Sequence, residues 1–185
     1  MWAPWLLIYI VTNRYHFIDP VHLKITWLDS IIPFVPFMIP VYLSYLVGVF
    51  VFIACLRDEK ELNEIFFLSH IQLLISVPFF IFYPVSYAKD MFYNADTVTS
   101  IFNHIWLWFD AGNNCLPSLH TANCMLGISY SLKLPLRIRC VIIPWAALVI
   151  LSTLACKQHY VIDVAAGLTV CWLSIKIGKY FNLCD

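Results

Sequence analysis

Charge is what this 185-residue sequence has least of. Asp, Glu, Lys and Arg make up 12% of it, against about 25% in an ordinary soluble domain. Acidic and basic residues balance at 11 each, so no basic surface favours nucleic acid. There is no repeat and no low-complexity tract, and the seven cysteines form no CxxC pair or zinc-like spacing. The start, Met1 to Thr12, is apolar but lacks the basic residues and small-residue cleavage site of a signal peptide. What is present is 62% hydrophobic and 17% aromatic side chains. Lipid, not water, is the solvent that suits such a chain, and its length suits one domain over residues 1–185.

The apolar residues come in runs. A spanning helix needs about 20 of them. Ile31 to Cys55 carries no charge, and Ile65 to Ala88 carries none beyond His70. Ser118 to Leu132 is shorter, followed by Cys140 to Cys156 and by Tyr160 to Ile175, which only Asp163 interrupts. Met1 to Thr12 reaches about 18 Å at 1.5 Å per residue, short of the ~30 Å of hydrocarbon. The pattern predicts an all-α, polytopic membrane bundle of about six segments, the first one short. Pro33, Pro36 and Pro40 are expected to bend the second segment. Trp27, Trp106 and Trp108 suit an interfacial belt.

With the amino terminus in the cytoplasm, seven basic residues (Arg57, Lys60, Lys133, Arg137, Arg139, Lys176, Lys179) fall on that side. Four (Arg14, Lys24, Lys89, Lys157) fall on the other, which makes this the favoured orientation. The segment from Lys89 to Pro117 and the turn near Lys157 then face periplasm, lumen or exterior. Cys55, Cys140 and Cys171 sit in apolar runs as small apolar residues. Cys115 and Cys156 fall near one face, which leaves a bridge between them open.

Two stretches carry chemistry. "STLACKQHYVID", Ser152 to Asp163, places His159 four residues before Asp163, so a helix puts both on one face. An ionisable residue within a span is costly and points to function. A carboxylate on one imidazole nitrogen leaves the other free to attack; a self-satisfied pair at a helix start is the plainer reading. "NNCLPSLHTAN", Asn113 to Asn123, reads as a helix opening with Pro117 in its first turn. Free amides there favour an anion, Ser118 adds a hydroxyl, and His120 lies in the same turn. Two histidines, an aspartate and an anion site fit phosphoryl transfer. His159 attacks phosphorus, Asp163 orients it, His120 serves as acid and then base, and Lys157 neutralises charge.

These residues resemble the type 2 phosphatidic acid phosphatase superfamily. Its second motif, PSGH, is matched by Pro117-Ser118-Leu119-His120. Its third, SRx5Hx3D, is matched by Ser152-Thr153, five residues, His159, three residues and Asp163. The resemblance runs from about Asp29 to Gly167. Leu119 stands for the motif glycine, Thr153 for the motif arginine, and the first motif, Kx6RP, is absent. At its place stands "FYPVSYAK", with Lys89 the basic candidate. The resemblance implies phosphate contacts from Ser118, Ser152, Lys89 and Lys157, no cofactor and no metal. The PSLH and KQHY forms look like the inositolphosphotransferase-like branch that contains inositol phosphorylceramide synthases. A lipid phosphate or phosphodiester among membrane lipids is the implied substrate, with water or a lipid alcohol as acceptor.

Two other classes stay open: a catalytically inactive relative serving as transporter or assembly partner, and a metal or haem site on His120 and His159. Asp110 reads as a solvated loop residue, His104 as an interfacial or loop histidine, and His70 as a packing histidine. Asn113 and Asn114 read as cap or turn residues. Ala165, Ala166 and Gly167 fit close helix packing.

Overall fold

The computed structural model describes residues 3–15, 17–56, 58–87 and 112–184. Arg57, Lys89, His104, Trp106, Trp108 and Asp110, and the expected cover from Lys89 onward, lie outside the described residues.

Seven α-helices are described. They are α1 (Ala3–Arg14), α2 (Trp27–Ile31), α3 (Ile39–Cys55), α4 (Glu59–Phe82), α5 (Leu119–Ser131), α6 (Leu136–Ala155) and α7 (Val161–Tyr180). A 3-10 turn, Pro36–Met38, leads into α3. Two short strands, β1 (Val21–His22) and β2 (Val85–Ser86), pair in parallel with Val21 opposite Val85.

Among the described residues, four stretches are long and apolar enough to cross a membrane: Pro36–Cys55, Glu59–Phe82, Leu136–Ala155 and Val161–Tyr180. The all-α class holds, and the chain is an integral membrane protein by these spans. Of the six expected segments, the first and fourth are short helices among the described residues. α1 has 12 residues and α5 has 13, about 18–20 Å at 1.5 Å per residue. The prolines do not bend α3. Pro36 opens the 3-10 turn and Pro40 lies in the first turn of α3, where a missing amide donor costs nothing. α4 begins at Glu59, earlier than the apolar run, because the Asp58 side chain accepts from the Lys60 amide as N-cap. Its buried Glu64 is met by the Tyr130 hydroxyl at 2.7 Å and by Lys60 at 3.8 Å.

α5 is the central helix, packed by α4, α6 and α7. Around it lies a core of Phe52, Ile65, Leu68, Leu126, Ile142 and Val170. Large apolar side chains also point outward, among them Val47, Phe50, Leu74, Phe82 and Val141. That is the distribution expected where lipid replaces water. Within the bundle Gln72 donates to the Ala122 carbonyl and to Ser174, which joins α4 to α5 and α7. His70 holds the Phe66 carbonyl of its own helix at 2.7 Å, as a packing histidine does.

Two glycines set helix spacing. The Trp145 indole lies where a side chain of Gly48 would be, and its Nε1 donates to Ser44 at 2.9 Å. At Gly167 a Cβ would sit 2.4 Å from the Ser118 carbonyl oxygen. α7 therefore touches the start of α5, the close packing expected of the small residues there. The ends of α1, α4 and α6 and the starts of α3, α5 and α7 gather at one end of the bundle, tied by Asn113 Nδ2 to the Asn13 carbonyl and by the Val35 amide to Ala155.

Candidate active site

The gathering of helix ends builds the site. α6 stops in a Schellman turn: the Gln158 amide reaches back to the Thr153 carbonyl at 3.0 Å and the Lys157 amide to Leu154 at 3.1 Å. The left-handed position of that turn is usually glycine. Here it is Lys157, at φ 53°, a conformation that costs an ordinary residue about 1 kcal/mol. The Lys157 ammonium offsets it by donating to the carbonyls of Asp29 at 2.8 Å and Ile32 at 2.5 Å. Thr153, in place of the family arginine, gives its carbonyl to the His159 amide at 3.1 Å as well. The turn thus fixes where His159 leaves the backbone.

The His159 Nδ1 lies 2.9 Å from the Cys115 carbonyl and 3.4 Å from Asp163 Oδ2. A carbonyl only accepts, so Nδ1 carries the proton and Nε2 the lone pair in the neutral ring. The nearer orienting partner is therefore a main-chain oxygen. Asp163 is fully buried; its Oδ2 accepts from the Tyr160 amide at 2.8 Å, and its main-chain oxygen accepts from the Ser118 amide at 3.1 Å. Asp163 hence joins α7 to the start of α5.

His120 stands in the first turn of α5. Its ring centroid lies 5.8 Å from that of His159 at 61°. Tyr42 and Tyr45 of α3 flank it at 4.8 and 4.5 Å. Both histidines are buried, at 8% and 6% exposure. The structure brings together two imidazoles at one bundle end, His120 from the first turn of α5 and His159 from the turn between α6 and α7.

Of the residues expected to hold phosphate, Ser118, Ser152 and Lys157 bond to protein groups. Ser118 is the N-cap of α5, accepting from the Thr121 amide at 3.3 Å and the Thr121 hydroxyl at 3.1 Å. Pro117 precedes that cap and so lies outside the first helical turn. Ser152 is fully buried and donates to the Val149 carbonyl at 2.7 Å. Lys157 faces the α2 segment. Lys89 lies outside the described residues. Cys115 and Cys156 are free thiols.

Asp29 is the residue that sequence reasoning missed. Its Oδ2 accepts from the Thr26 amide at 2.9 Å, closing a capping box on α2. Its Oδ1 accepts from the Val161 amide at 2.8 Å, the first residue of α7. Burial pushes its carboxyl up, but the hydrogen bonds from Thr26 and Val161 and the Lys157 charge outweigh burial and hold it below 3.8. Burial pushes Lys157 down from 10.5, opposed by Asp29. The sequence signal was Thr26-x-x-Asp29, a capping box in a short helix.

Because the Asp29 pKa is depressed on folding, its stabilisation is complete above the ordinary carboxylate value. It is lost as pH falls through the folded value. Asp29→Asn puts an amide where Thr26 needs an acceptor, and should destabilise by about 1–3 kcal/mol at neutral pH. Thermal melts in detergent should also show a smaller acid-induced drop in Tm for the variant between about pH 5 and pH 3. An equal drop in both proteins would remove Asp29 from the account.

A membrane-embedded helical protein with paired histidines at one bundle end is thus the class that the fold and site define. The chain belongs to the PAP2 superfamily, whose family model matches residues 10–177. No curated protein and no solved structure matches it. Membership suggests phosphatase or phosphotransferase activity in a membrane protein.

Proposed function

We propose that the protein is a lipid phosphatase or head-group phosphotransferase working through a phosphohistidine on His159. The observation that carries this is the 5.8 Å approach of the His120 and His159 rings, with the His159 proton directed at the Cys115 carbonyl. Nε2 of His159 attacks phosphorus. Asp163, 3.4 Å from Nδ1, stabilises the positive ring that forms. His120 protonates the departing oxygen and then takes the proton of the acceptor. Phosphate sits against the first turn of α5, which Ser118 caps. Lys157 supplies charge at one remove and Lys89 supplies the direct cation. Ser152 orders the last turn of α6.

Substrate access from the bilayer is supported by an apolar cavity of about 290 Å³ lined by Leu6, Tyr45, Phe50, Phe52 and Ile65. Tyr45 both lines it and packs on His120. Lys60, Lys133, Lys176 and Lys179 belong to the bundle end away from the histidines, which supports an active site on the non-cytoplasmic face. The PSLH and KQHY forms favour the inositolphosphotransferase-like branch.

The reaction is read as metal-independent. Cys115 Sγ, His159 and Asp163 do converge within 4.8 Å, as a metal site would. However, the thiol donates to the Gly112 and Gln158 carbonyls and Nδ1 faces the Cys115 carbonyl. These atoms hold protons where a metal needs lone pairs.

His120→Ala should slow turnover of a lipid phosphate by about 10²–10⁴-fold. The loss should be smaller for an aryl phosphate, whose leaving group needs no proton. Equal losses for both substrates would remove the acid role. Trapping of labelled phosphate on purified protein with a panel of phospholipids, with mapping of the labelled residue, tests the whole reading. Phosphate release with and without a lipid alcohol separates hydrolysis from transfer. An inactive relative is the second reading, favoured by Leu119 and Thr153 at motif positions and by the commitment of Lys157 to two carbonyls. Unchanged turnover in His159→Ala would support it.

A further inference from the structure

We infer that Asn114 positions the hydroxyl that discharges the phosphoenzyme, and that this hydroxyl belongs to water. The inference rests on the phosphohistidine reading and deepens it.

Asn114 is 5% exposed. Its Nδ2 donates to the Tyr9 carbonyl at 3.3 Å and to Thr12 Oγ1 at 3.0 Å, both on α1. A carbonyl cannot donate, so the nitrogen must be the atom facing α1, and Oδ1 is turned away from it. That oxygen is buried and meets no donor among the described residues. Buried amide oxygens in native folds are met by protein, water or ligand. Asn114 lines a small cavity with Tyr9, Tyr42, Gln158 and His159. Its volume of about 10 Å³ is the room one water needs. The Tyr42 ring on its wall also touches the His120 ring at 4.8 Å. Asn114, whose side-chain oxygen is left without a donor among the described residues, thus lines a water-sized cavity together with His159, and Tyr42 on the wall of that cavity packs on His120.

In the discharge step the water oxygen bonds to phosphorus. The bond from phosphorus to His159 Nε2 breaks, and its electron pair returns to the ring. One water proton passes by way of a phosphoryl oxygen to His120, which does not itself line the cavity and became neutral when it protonated the leaving group. The other proton stays on oxygen and is donated to Asn114 Oδ1 until inorganic phosphate departs. An alcohol has a single hydroxyl proton and cannot serve both groups. The cavity and its acceptor therefore favour hydrolysis over transfer. The short helix α1 becomes part of the site, because it locks the Asn114 amide.

The test labels full-length protein in detergent with ³²P-phosphoramidate, a small donor that phosphorylates histidine without any lipid. Wild type should take label at His159 and release it as inorganic phosphate. Asn114→Ala should take label to the same extent and release it about tenfold or more slowly, since a misplaced reactant loses about that much or more. Asn113→Ala, which removes only the tether to the Asn13 carbonyl, should release label at the wild-type rate. A lipid alcohol should leave the wild-type release rate unchanged. Equal release by Asn114→Ala and wild type overturns the inference while the phosphohistidine reading stands. So does equal slowing in Asn113→Ala, which would trace the effect to seating of α1, or several-fold faster release with the alcohol. Wild type without label at His159 overturns both. Should Asn114→Ala fail to fold, Thr12→Val removes one acceptor that holds the amide and should slow release selectively; full-speed release there also overturns the inference.

Discussion

His159→Ala is expected to abolish turnover, with a loss of at least ~10⁴-fold in kcat, as removal of a nucleophile does. The variant loses the group that bonds to phosphorus. It also loses a buried hydrogen bond to the Cys115 carbonyl, worth about 1–3 kcal/mol when one partner is left unmet. His159→Asn separates these effects. Its amide nitrogen can replace Nδ1 as donor to Cys115, while nothing replaces Nε2. Expected is wild-type melting with no turnover and no trapped phosphate. Substantial turnover in His159→Asn would show that another group bonds to phosphorus, and the proposed mechanism would fall.

The second large effect is expected at a glycine one turn after Asp163 on α7. Gly167→Ala places a methyl 2.4 Å from the Ser118 carbonyl oxygen and 2.9 Å from Thr121 Cβ. Neither contact is the free end of a flexible side chain. The Ser118 carbonyl is bonded to the Ala122 amide within α5. Relief requires α7 to move off α5, which stretches the bond from the Ser118 amide to the Asp163 carbonyl, 3.1 Å here. His120 then shifts relative to His159. Overpacking of this kind costs about 1–3 kcal/mol, and displacement of reacting groups by about 1 Å costs about 10²-fold in kcat. Gly178→Ala is the control. Its methyl would meet Leu68 Cδ2 at 2.6 Å and Cys184 Sγ at 2.8 Å, both side-chain ends, at the opposite end of α7. It should lower Tm with kcat nearly kept. If Gly167→Ala lowers only Tm as well, the joint between α5 and α7 does not set the histidine geometry.

Some of this was legible before any coordinates. The uncharged runs named the spans, because backbone and side chains in lipid must be apolar or internally satisfied. The spacing of Ser152, His159 and Asp163, with Pro117-Ser118-Leu119-His120, carried the family. The contact of His159 with Asp163 is present at 3.4 Å, although His159 precedes α7 and does not share a helix face with Asp163. What spacing did not show was the individual protein contacts. Lys157 looked like a phosphate ligand because a cation stood beside a histidine, yet its ammonium lies on two carbonyls of the α2 segment, 125 and 128 residues away in sequence. Ser152 looked like a hydroxyl for substrate and is bonded one turn back in α6. Two of the six runs form helices of 12 and 13 residues, and four of the described stretches are long enough to span.

By itself, the sequence determined the solvent, the helical class and the family, since hydropathy and spacing are local properties that survive without a fold. Tertiary structure alone decided how those residues are aimed. The His159 tautomer is set by the Cys115 carbonyl, the start of α7 by Asp29, and the Asn114 amide by the α1 backbone. The physical reason is common to these cases: at least one partner in each is a main-chain group. Every residue type carries such groups, so no letter of the sequence announces which one will be met.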